Sequence, residues 1–377
     1  MSRFTPDFAR IGIIGGGQLG RMMMLAGTPL GFEFGVLTPS ATDPAARLAA
    51  HHVAGSLTDA KAIRELCRWA HVTTYEIEHI HTGALRDAAA EGAAILPRPD
   101  VLELVNDKLE QKRALERAGV PVPPFSERPN GYPTVQKLRH GGYDGRGVKV
   151  LENEATEPLD GASYYEDLVR FRSELAVVVA RSVGGGVETY PVVEMEFDPE
   201  ANICSRVIVP ARVPTHVEVR ARDVAIAAVE AIGGVGVVAV ELFLNDDGSV
   251  LVNELAPRPH NSGHLTIEAS ATSQFEQHLR AITGLPLGAT TLRTSAVMIN
   301  VLGAPDAIGQ PRMPAMAKLL SAPGVHLHWY GKETVRPYRK MGHVTVVADD
   351  LGRALAIARE VEPYTRVTAA RNQSTEE

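Results

Sequence analysis

The sequence predicts a mixed α/β and α+β protein in three parts: a βαβ domain with a parallel sheet over residues 1–100, a larger domain over 101–288, and a small β-rich C-terminal module over 289–377. Three observations lead there. Short apolar runs alternate with helical patterns in the first hundred residues; strands and glycine turns take over beyond Pro97 and Pro99; and a long, nearly apolar hairpin closes the middle of the chain.

In chain order, Ile11 to Ile14, Phe34 to Leu37 and Val72 to Tyr75 are apolar enough for buried parallel strands, and Leu19 to Ala26, Ala60 to Ala70 and Gly83 to Glu91 carry helical spacing between them. Asp107 reads as the N-cap of the next helix, with Glu110 three residues on, Gly119 at its end and Pro121 beyond. Strands Tyr132 to Leu138 and Val148 to Glu152 bracket a glycine-rich loop, and Tyr164 to Glu166, Glu174 to Arg181, Tyr190 to Phe197 and Ile203 to Val209 continue the strand pattern. Val217, Ala221, Val224, Ala225, Ala228 and Ile232 recur at helical spacing until Gly233-Gly234 stops them. After Gly288 come further short strands and a helix near Leu351 to Val361, and the tail after Val367 reads as disordered.

Composition narrows the function. With 45% hydrophobic and 22% charged residues the 377-residue chain can bury a large core, which excludes disordered, collagenous and coiled-coil classes. Net charge is −7 with no long basic run, so no nucleic-acid partner is expected. Cys67 and Cys204 match no metal-ligand spacing and read as reduced thiols of a cytoplasmic protein. No apolar run reaches the roughly 18 residues of a membrane span, and no signal segment opens the chain.

Four segments carry chemistry. Gly15-Gly16-Gly17-Gln18-Leu19-Gly20 has dinucleotide-loop spacing between a strand and a helix, yet the second strand ends Thr38-Pro39 without the acid that would bind ribose. A nicotinamide site, a structural turn and an anion site for another phosphorylated ligand all stay open there. Gly141 to Gly147 holds four glycines and Arg146 between two strands, read as a mobile phosphate cradle unlike a Walker loop, with a plain hairpin turn, which needs only one or two glycines, as the alternative. The third is the hairpin: with a four-residue turn at Asn245-Asp246-Asp247-Gly248, Glu241 opposes Val252 and lies diagonal to Glu254 on one face. Two carboxylates among Val237, Ala239 and Phe243 point to Mg²⁺ bridging nucleotide phosphates; a solvent-facing pair, with the acids separated by a register slip of one, stays open. The fourth is a pair of cation-bearing stretches, Pro257 to His264 with Arg258 and His260, and Gly331 to Gly342 with Lys332, Arg336, Arg339 and Lys340, suited to an anionic substrate or, for the second, to a solvated basic face. His51, His52 and His326 read as surface or core residues.

Together these motifs resemble the ATP-grasp superfamily and, within it, the 5-(carboxyamino)imidazole ribonucleotide synthases. The resemblance rests on Gly15 to Met22, Tyr75-Glu76-Ile77-Glu78, Gly141 to Gly147, Asn253 to His264 and Arg339 to His343, and covers about residues 9 to 345. It implies an ATP-grasp domain behind a Rossmann-like pre-ATP-grasp domain, a homodimer, and an ATP- and Mg²⁺-dependent carboxylation of 5-aminoimidazole ribonucleotide by bicarbonate through carboxyphosphate, in purine biosynthesis. It further implies that Lys108, Lys137, Gly142, Tyr143, Asp144, Gly145, Arg146, Gly147, Val148 and Asn253 contact nucleotide, that Glu166, Asp167, Leu168 and Val169 offer backbone to the adenine, and that Glu174 holds the ribose. Glu241 and Glu254 would carry Mg²⁺; Gln18, Leu19, Glu76, Tyr143, Asp144, His260, Asn261 and Ser262 would surround the ribonucleotide; and Arg258, Lys332, Arg339 and Lys340 would hold its phosphate or stabilise carboxyphosphate, with Arg146 acting at the reacting centre.

One departure stands out. Family members often carry Glu-Asn-x-His where this chain has Glu194-Met195-Glu196-Phe197, which removes a nucleotide contact. The formate-dependent glycinamide ribonucleotide transformylases share a similar acid hairpin but suit the Gly-Gly-Gly-Gln-Leu-Gly-Arg opening less well. A nicotinamide-dependent oxidoreductase would need the missing ribose acid, and a catalytically silent nucleotide sensor would be expected to have lost a hairpin acid or Arg339-Lys340.

Overall fold

The computed structural model describes residues 9–141, 147–198 and 203–370. Its first part winds through β1 (Arg10–Ile14), α1 (Gln18–Gly27), β2 (Glu33–Thr38), β3 (His51–Ala54), α2 (Ala60–Trp69), β4 (Val72–Tyr75) and α3 (Thr82–Ala90), a parallel sheet in the order β3-β2-β1-β4. Ile14, Leu37, Ile63 and Leu66 fill one side of it, and Ile11, Ile13, Met23 and Phe34 the other. Two elements escape the sequence pattern. β3 is four residues long with two histidines, and α4 (Pro99–Asn106) begins on a proline that reads as a break but occupies the first helical turn, where a missing N–H costs nothing.

Asp107 then caps α5 (Lys108–Arg117), accepting from the N–H groups of Leu109 and Glu110 as its sequence signature requires. A small antiparallel sheet follows, β5 (Phe125–Ser126), β6 (Thr134–Leu138), β7 (Val148–Leu151) and β8 (Ser163–Asp167), in the order β5-β8-β6-β7. The main sheet collects β9 (Phe171–Arg181), β10 (Val187–Thr189), β11 (Val193–Asp198), β12 (Ile203–Val209), β13 (Gly236–Asn245) and β14 (Val250–Ala256). α6 (Thr215–Ile232) packs Val224, Ala228 and Val229 against Val177, Val179, Val240 and Leu242 of that sheet, and ends on Gly233 at φ 64°, a conformation that suits glycine. Each such buried aliphatic side chain contributes about 1.5–3 kcal/mol of apolar burial.

Beyond Ala256, α7 (Thr266–Ala269) and α8 (Gln274–Thr283) return to the first part, where Phe275 and Leu279 join the core of α1 and β1. His278 on α8 ties the two sheets together: its Nδ1 accepts from Val237 N at 3.0 Å and its Nε2 meets Thr74 Oγ1 at 2.8 Å. The segment expected as a C-terminal module adds its strands to the main sheet. β15 (Ser295–Leu302) pairs with β12; β16 (Pro311–Arg312) and α9 (Met316–Leu320) follow; β17 (Val325–Trp329) and β18 (Lys340–Ala348) complete the nine strands; α10 (Leu351–Val361) covers β15 and β18; and β19 (Thr368–Ala369) pairs with β16. Cys67 and Cys204 are buried and form no disulfide, and no helix among the described residues is long and apolar enough to cross a membrane. The tail after Ala370 lies outside the described residues.

Candidate active site

β13 runs between β9 and β14, and its burial alternates from Val240 onward: Val240, Leu242 and Leu244 face the α6 core, while Glu241 and Phe243 face the opposite side. The hairpin register differs from the sequence expectation. Asn245 itself pairs with Ser249, so the turn holds three residues, with Gly248 at φ 83°. A bulge then lets Glu241 face Glu254 directly, where the simple register had placed Val252. Phe243 pairs with Glu174 on β9, which brings a third carboxylate to the same face.

Crowded carboxylates resist ionisation. Burial, then repulsion from Glu254 and Glu174, lifts Glu241 to about 8, and burial lifts Glu174 to about 7. A divalent cation would relieve that repulsion, and the donors are the hard oxygens that Mg²⁺ takes. Among the described residues no cluster of three or more His, Cys, Asp or Glu is arranged to hold a metal by itself, and Glu241 and Glu254 would be the protein's two oxygen donors to such an ion. Lys108 pairs with Glu254 at 2.9 Å, and Lys137 donates to Asn253 Oδ1 at 2.9 Å. Both lysines thus converge on the bulge.

Glu166 is engaged through both its side chain and its backbone. Its side chain is buried between Lys137 at 2.8 Å and Lys112 at 3.1 Å, while its carbonyl accepts from Thr134 Oγ1 and Asp167 N donates to Pro124 O. Of the four residues expected to offer backbone to adenine, Leu168 and Val169 lie beyond the end of β8. Gly147 accepts from Leu138 N and Val148 pairs with Lys137, so the glycine loop springs from the strand that carries Lys137. Gly142, Tyr143, Asp144, Gly145 and Arg146 lie outside the described residues. Phe197 packs beside Val193, Met195 and Cys204, an apolar filling where family members often present a histidine.

The first glycine loop is not an empty phosphate cradle. Glu76 accepts from Gly17 N and from Gly20 N, the latter at 2.7 Å, so an internal carboxylate caps α1 where a dinucleotide phosphate would sit. A Cβ on Gly15, at φ 112°, would lie 2.5 Å from Glu76, and one on Gly17 would lie 2.6 Å from its Oε1. The glycines therefore admit the glutamate, and the anion-site reading of this loop is corrected. Gln18 opens α1 beside it and Leu19 is buried.

Cations line the other side. Arg258 pairs with Glu78 at 2.7 Å, which holds its charge against burial, and its Nε is buried with no hydrogen-bond partner among the described residues. His260 Nδ1 accepts from Ser262 N at 3.3 Å, which leaves Nε2–H for Glu241 at 3.3 Å, and burial with Arg258 and Lys340 nearby keeps the ring neutral. Asn261 exchanges amide hydrogen bonds with Asn300. Lys332 donates to the Lys340 carbonyl at 2.7 Å. The adjacent Arg339 and Lys340 feel different neighbours: Arg339 donates to Thr334 O at 2.6 Å beside Arg336 and Asp43, whereas the Lys340 charge acts on Glu241, His260 and His264.

Sequence reasoning missed Lys112, Glu78 and His278. The signal for Lys112 lay in helical spacing, because Lys108, Lys112 and Leu115 fall on one stripe of α5.

Known proteins resemble this chain in sequence and fold. An ATP-grasp domain model matches residues 114–275, a ribonucleotide synthetase preATP-grasp domain model residues 8–106, and a phosphoribosylaminoimidazole carboxylase C-terminal domain model residues 296–357. The chain is 39% identical to the N5-carboxyaminoimidazole ribonucleotide synthase of Bacillus subtilis over 89% of this chain and 91% of that protein. It is 41% identical to the phosphoribosylaminoimidazole carboxylase of Schizosaccharomyces pombe over 90% of this chain, and spans 65% of that longer protein. Among solved structures, N5-carboxyaminoimidazole ribonucleotide synthetase from Thermotoga maritima superposes with TM-score 0.90 at 43% identity, covering 96% of this chain and 100% of that one. The Aspergillus clavatus N5-carboxyaminoimidazole synthase, in complex with ADP and 5-aminoimidazole ribonucleotide, gives 0.86 at 33%, covering 96% and 99%.

Proposed function

The chain belongs to the N5-carboxyaminoimidazole ribonucleotide synthases, ATP-grasp ligases of purine biosynthesis, and we propose that it uses ATP, Mg²⁺ and bicarbonate to carboxylate the exocyclic amine of 5-aminoimidazole ribonucleotide. The observation that carries this reading is the Glu241–Glu254 pair, flanked by Lys108 and Lys137 on one side and by Arg258, His260 and Lys340 on the other.

Bicarbonate oxygen attacks the γ-phosphorus of ATP, ADP leaves, and carboxyphosphate forms. Its breakdown yields carbon dioxide and phosphate, and the amine captures the carbon dioxide as a carbamate with loss of one proton. Glu241 and Glu254 would hold Mg²⁺, which when bound would neutralise charge on the phosphates. Lys108 and Lys137 place the phosphates over the bulge, and Leu168 and Val169 meet the adenine. Glu174 holds the ribose.

Arg258 and Lys340 keep the acyl phosphate beside the amine, and His260, neutral and anchored by Ser262, steadies Glu241 while facing the ribonucleotide. Glu76 orients the loop that carries Gln18 and Leu19 toward the same ligand. Tyr143, Asp144 and Arg146 complete the site from the glycine loop, and Asn261, Ser262, Lys332 and Arg339 border the ribonucleotide. No side-chain nucleophile is needed; proximity and exclusion of water supply the rate. The buried thiols outside any disulfide accord with a cytoplasmic enzyme that assembles as a homodimer, and light scattering on the purified chain tests that assembly. ADP release measured with and without 5-aminoimidazole ribonucleotide and bicarbonate tests the activity: release should need both.

A further inference from the structure

β14 is an edge strand of the main sheet, so its outward N–H and C=O groups must find partners outside the ladder. The α5 region provides them. Gln111 Oε1 accepts from Leu255 N at 3.2 Å, Lys112 Nζ donates to Val252 O at 2.9 Å, and Pro121 O accepts from Val252 N at 2.8 Å. Gln111 and Lys112 thereby bracket Asn253 and Glu254, the two residues at the bulge. Lys112 also starts a chain that returns to the same place: Lys112 to Glu166, Glu166 to Lys137, and Lys137 to Asn253 Oδ1. Tyr164 adds a hydroxyl donor to Glu166 Oε1 at 3.0 Å.

Gln111 and Lys112 are each 1% exposed. A contact between a helix and a sheet edge needs no charge, and Leu109 and Leu115 show the apolar alternative on the same helix. Burial draws Lys112 down to about 8, and Lys112 with Lys137 holds Glu166 down to about 2 against its own burial, so the network is charged at neutral pH. Such an arrangement costs desolvation energy and fixes geometry.

We propose that Gln111 and Lys112 are positioning residues for the nucleotide–metal site: they clamp the edge-strand bulge that turns Glu254 toward Glu241, and through Glu166 they aim Lys137, without touching either ligand. The inference rests on the reading of Glu254 and Lys137 given above.

The test compares wild type with Lys112→Met and Gln111→Met, varying ATP, Mg²⁺ and 5-aminoimidazole ribonucleotide separately, alongside calorimetric binding of Mg·ADP and thermal melting. Partners that orient ligating groups typically govern 10–100-fold effects. Lys112→Met should raise the KM for ATP and the half-saturating Mg²⁺ at least about tenfold, Gln111→Met several-fold, and both should leave the KM for the ribonucleotide within about twofold. A packing role alone would lower the melting temperature and move neither nucleotide nor metal constants, and that result overturns the proposal. If Lys112→Met does not fold, an unchanged Mg²⁺ requirement in Gln111→Met overturns it equally. Should wild type bind Mg·ADP yet release no ADP on adding the ribonucleotide, the functional reading fails, and the Mg·ADP affinities of the variants still decide the clamp.

Discussion

Arg258, just past the end of β14, forms an ion pair with Glu78, just past the end of β4, at 2.7 Å, so the acid hairpin and the first sheet meet through one charge pair. Both side chains are about four-fifths buried, and removing one partner strands the other charge in a poor solvent. Glu78→Gln should lower stability by about 1–3 kcal/mol, after discounting the usual cost of breaking a buried pair for the residual exposure. Urea melts of the variant against wild type check this, and a midpoint unchanged within error would reduce the pair to surface charge.

Glu241→Gln and Glu254→Gln each remove charge from the proposed metal site while keeping side-chain shape. Turnover should fall at least about 100-fold in either variant, with the far-ultraviolet spectrum and melting cooperativity retained. Near wild-type ADP formation at saturating Mg²⁺ would strip that acid of its role.

The divergence of Arg339 and Lys340 makes them separable. Lys340→Ala should raise the KM for 5-aminoimidazole ribonucleotide, or depress turnover, by roughly 10- to 150-fold, the loss of a charge-assisted contact worth about 1.5–3 kcal/mol. ADP affinity should hold. Steady-state kinetics with calorimetry of ADP decide it, and unchanged constants would return Lys340 to a solvated basic face.

His278 gives the stability a defined acid limb. Burial holds its pKa at about 3, below the ordinary 6.5, so the unfolded chain binds the proton first as pH falls. The stability that His278 contributes is complete above 6.5 and is lost progressively down toward 3, at up to about 1.4 kcal/mol per pH unit. Glu166, held down to about 2, adds a second loss between 4.5 and 2. Melting temperatures of wild type and His278→Gln between pH 6.5 and 4.5 should therefore diverge in slope, the variant being flatter; parallel slopes would contradict the assignment.

Much of this site was legible because its chemistry is written in local pattern. Asp107 announced its helix through the cap-and-Glu110 spacing, and Glu241 announced itself as one acid in an apolar strand. The Glu241–Glu254 pairing lies two residues from the expected register: the three-residue turn shifts it by one and the bulge at Asn253, which has no composition signal, by another, moving the partner from diagonal to opposite. The glycine loop misled for a different reason. Gly15 to Gly20 is compatible with any anion at a helix N-terminus, and only the fold reveals that Glu76, 59 residues from Gly17, supplies it. Glu78 and His278 are partners of residues distant in sequence, so single-chain spacing left them silent, and for Lys112 spacing offered the stripe on α5 but not its partner Glu166.

The most direct measurement follows bicarbonate oxygen. Incubating the enzyme with ATP, Mg²⁺, 5-aminoimidazole ribonucleotide and ¹⁸O-labelled bicarbonate should place one labelled oxygen in each inorganic phosphate released, because the oxygen that attacks the γ-phosphorus stays with phosphorus when carboxyphosphate breaks down. ADP, phosphate and carbamate should appear in equal amounts. Phosphate free of label, or ADP release that persists without bicarbonate, would mean that water takes the phosphoryl group and would contradict the assignment of this chain as a carboxylating ligase.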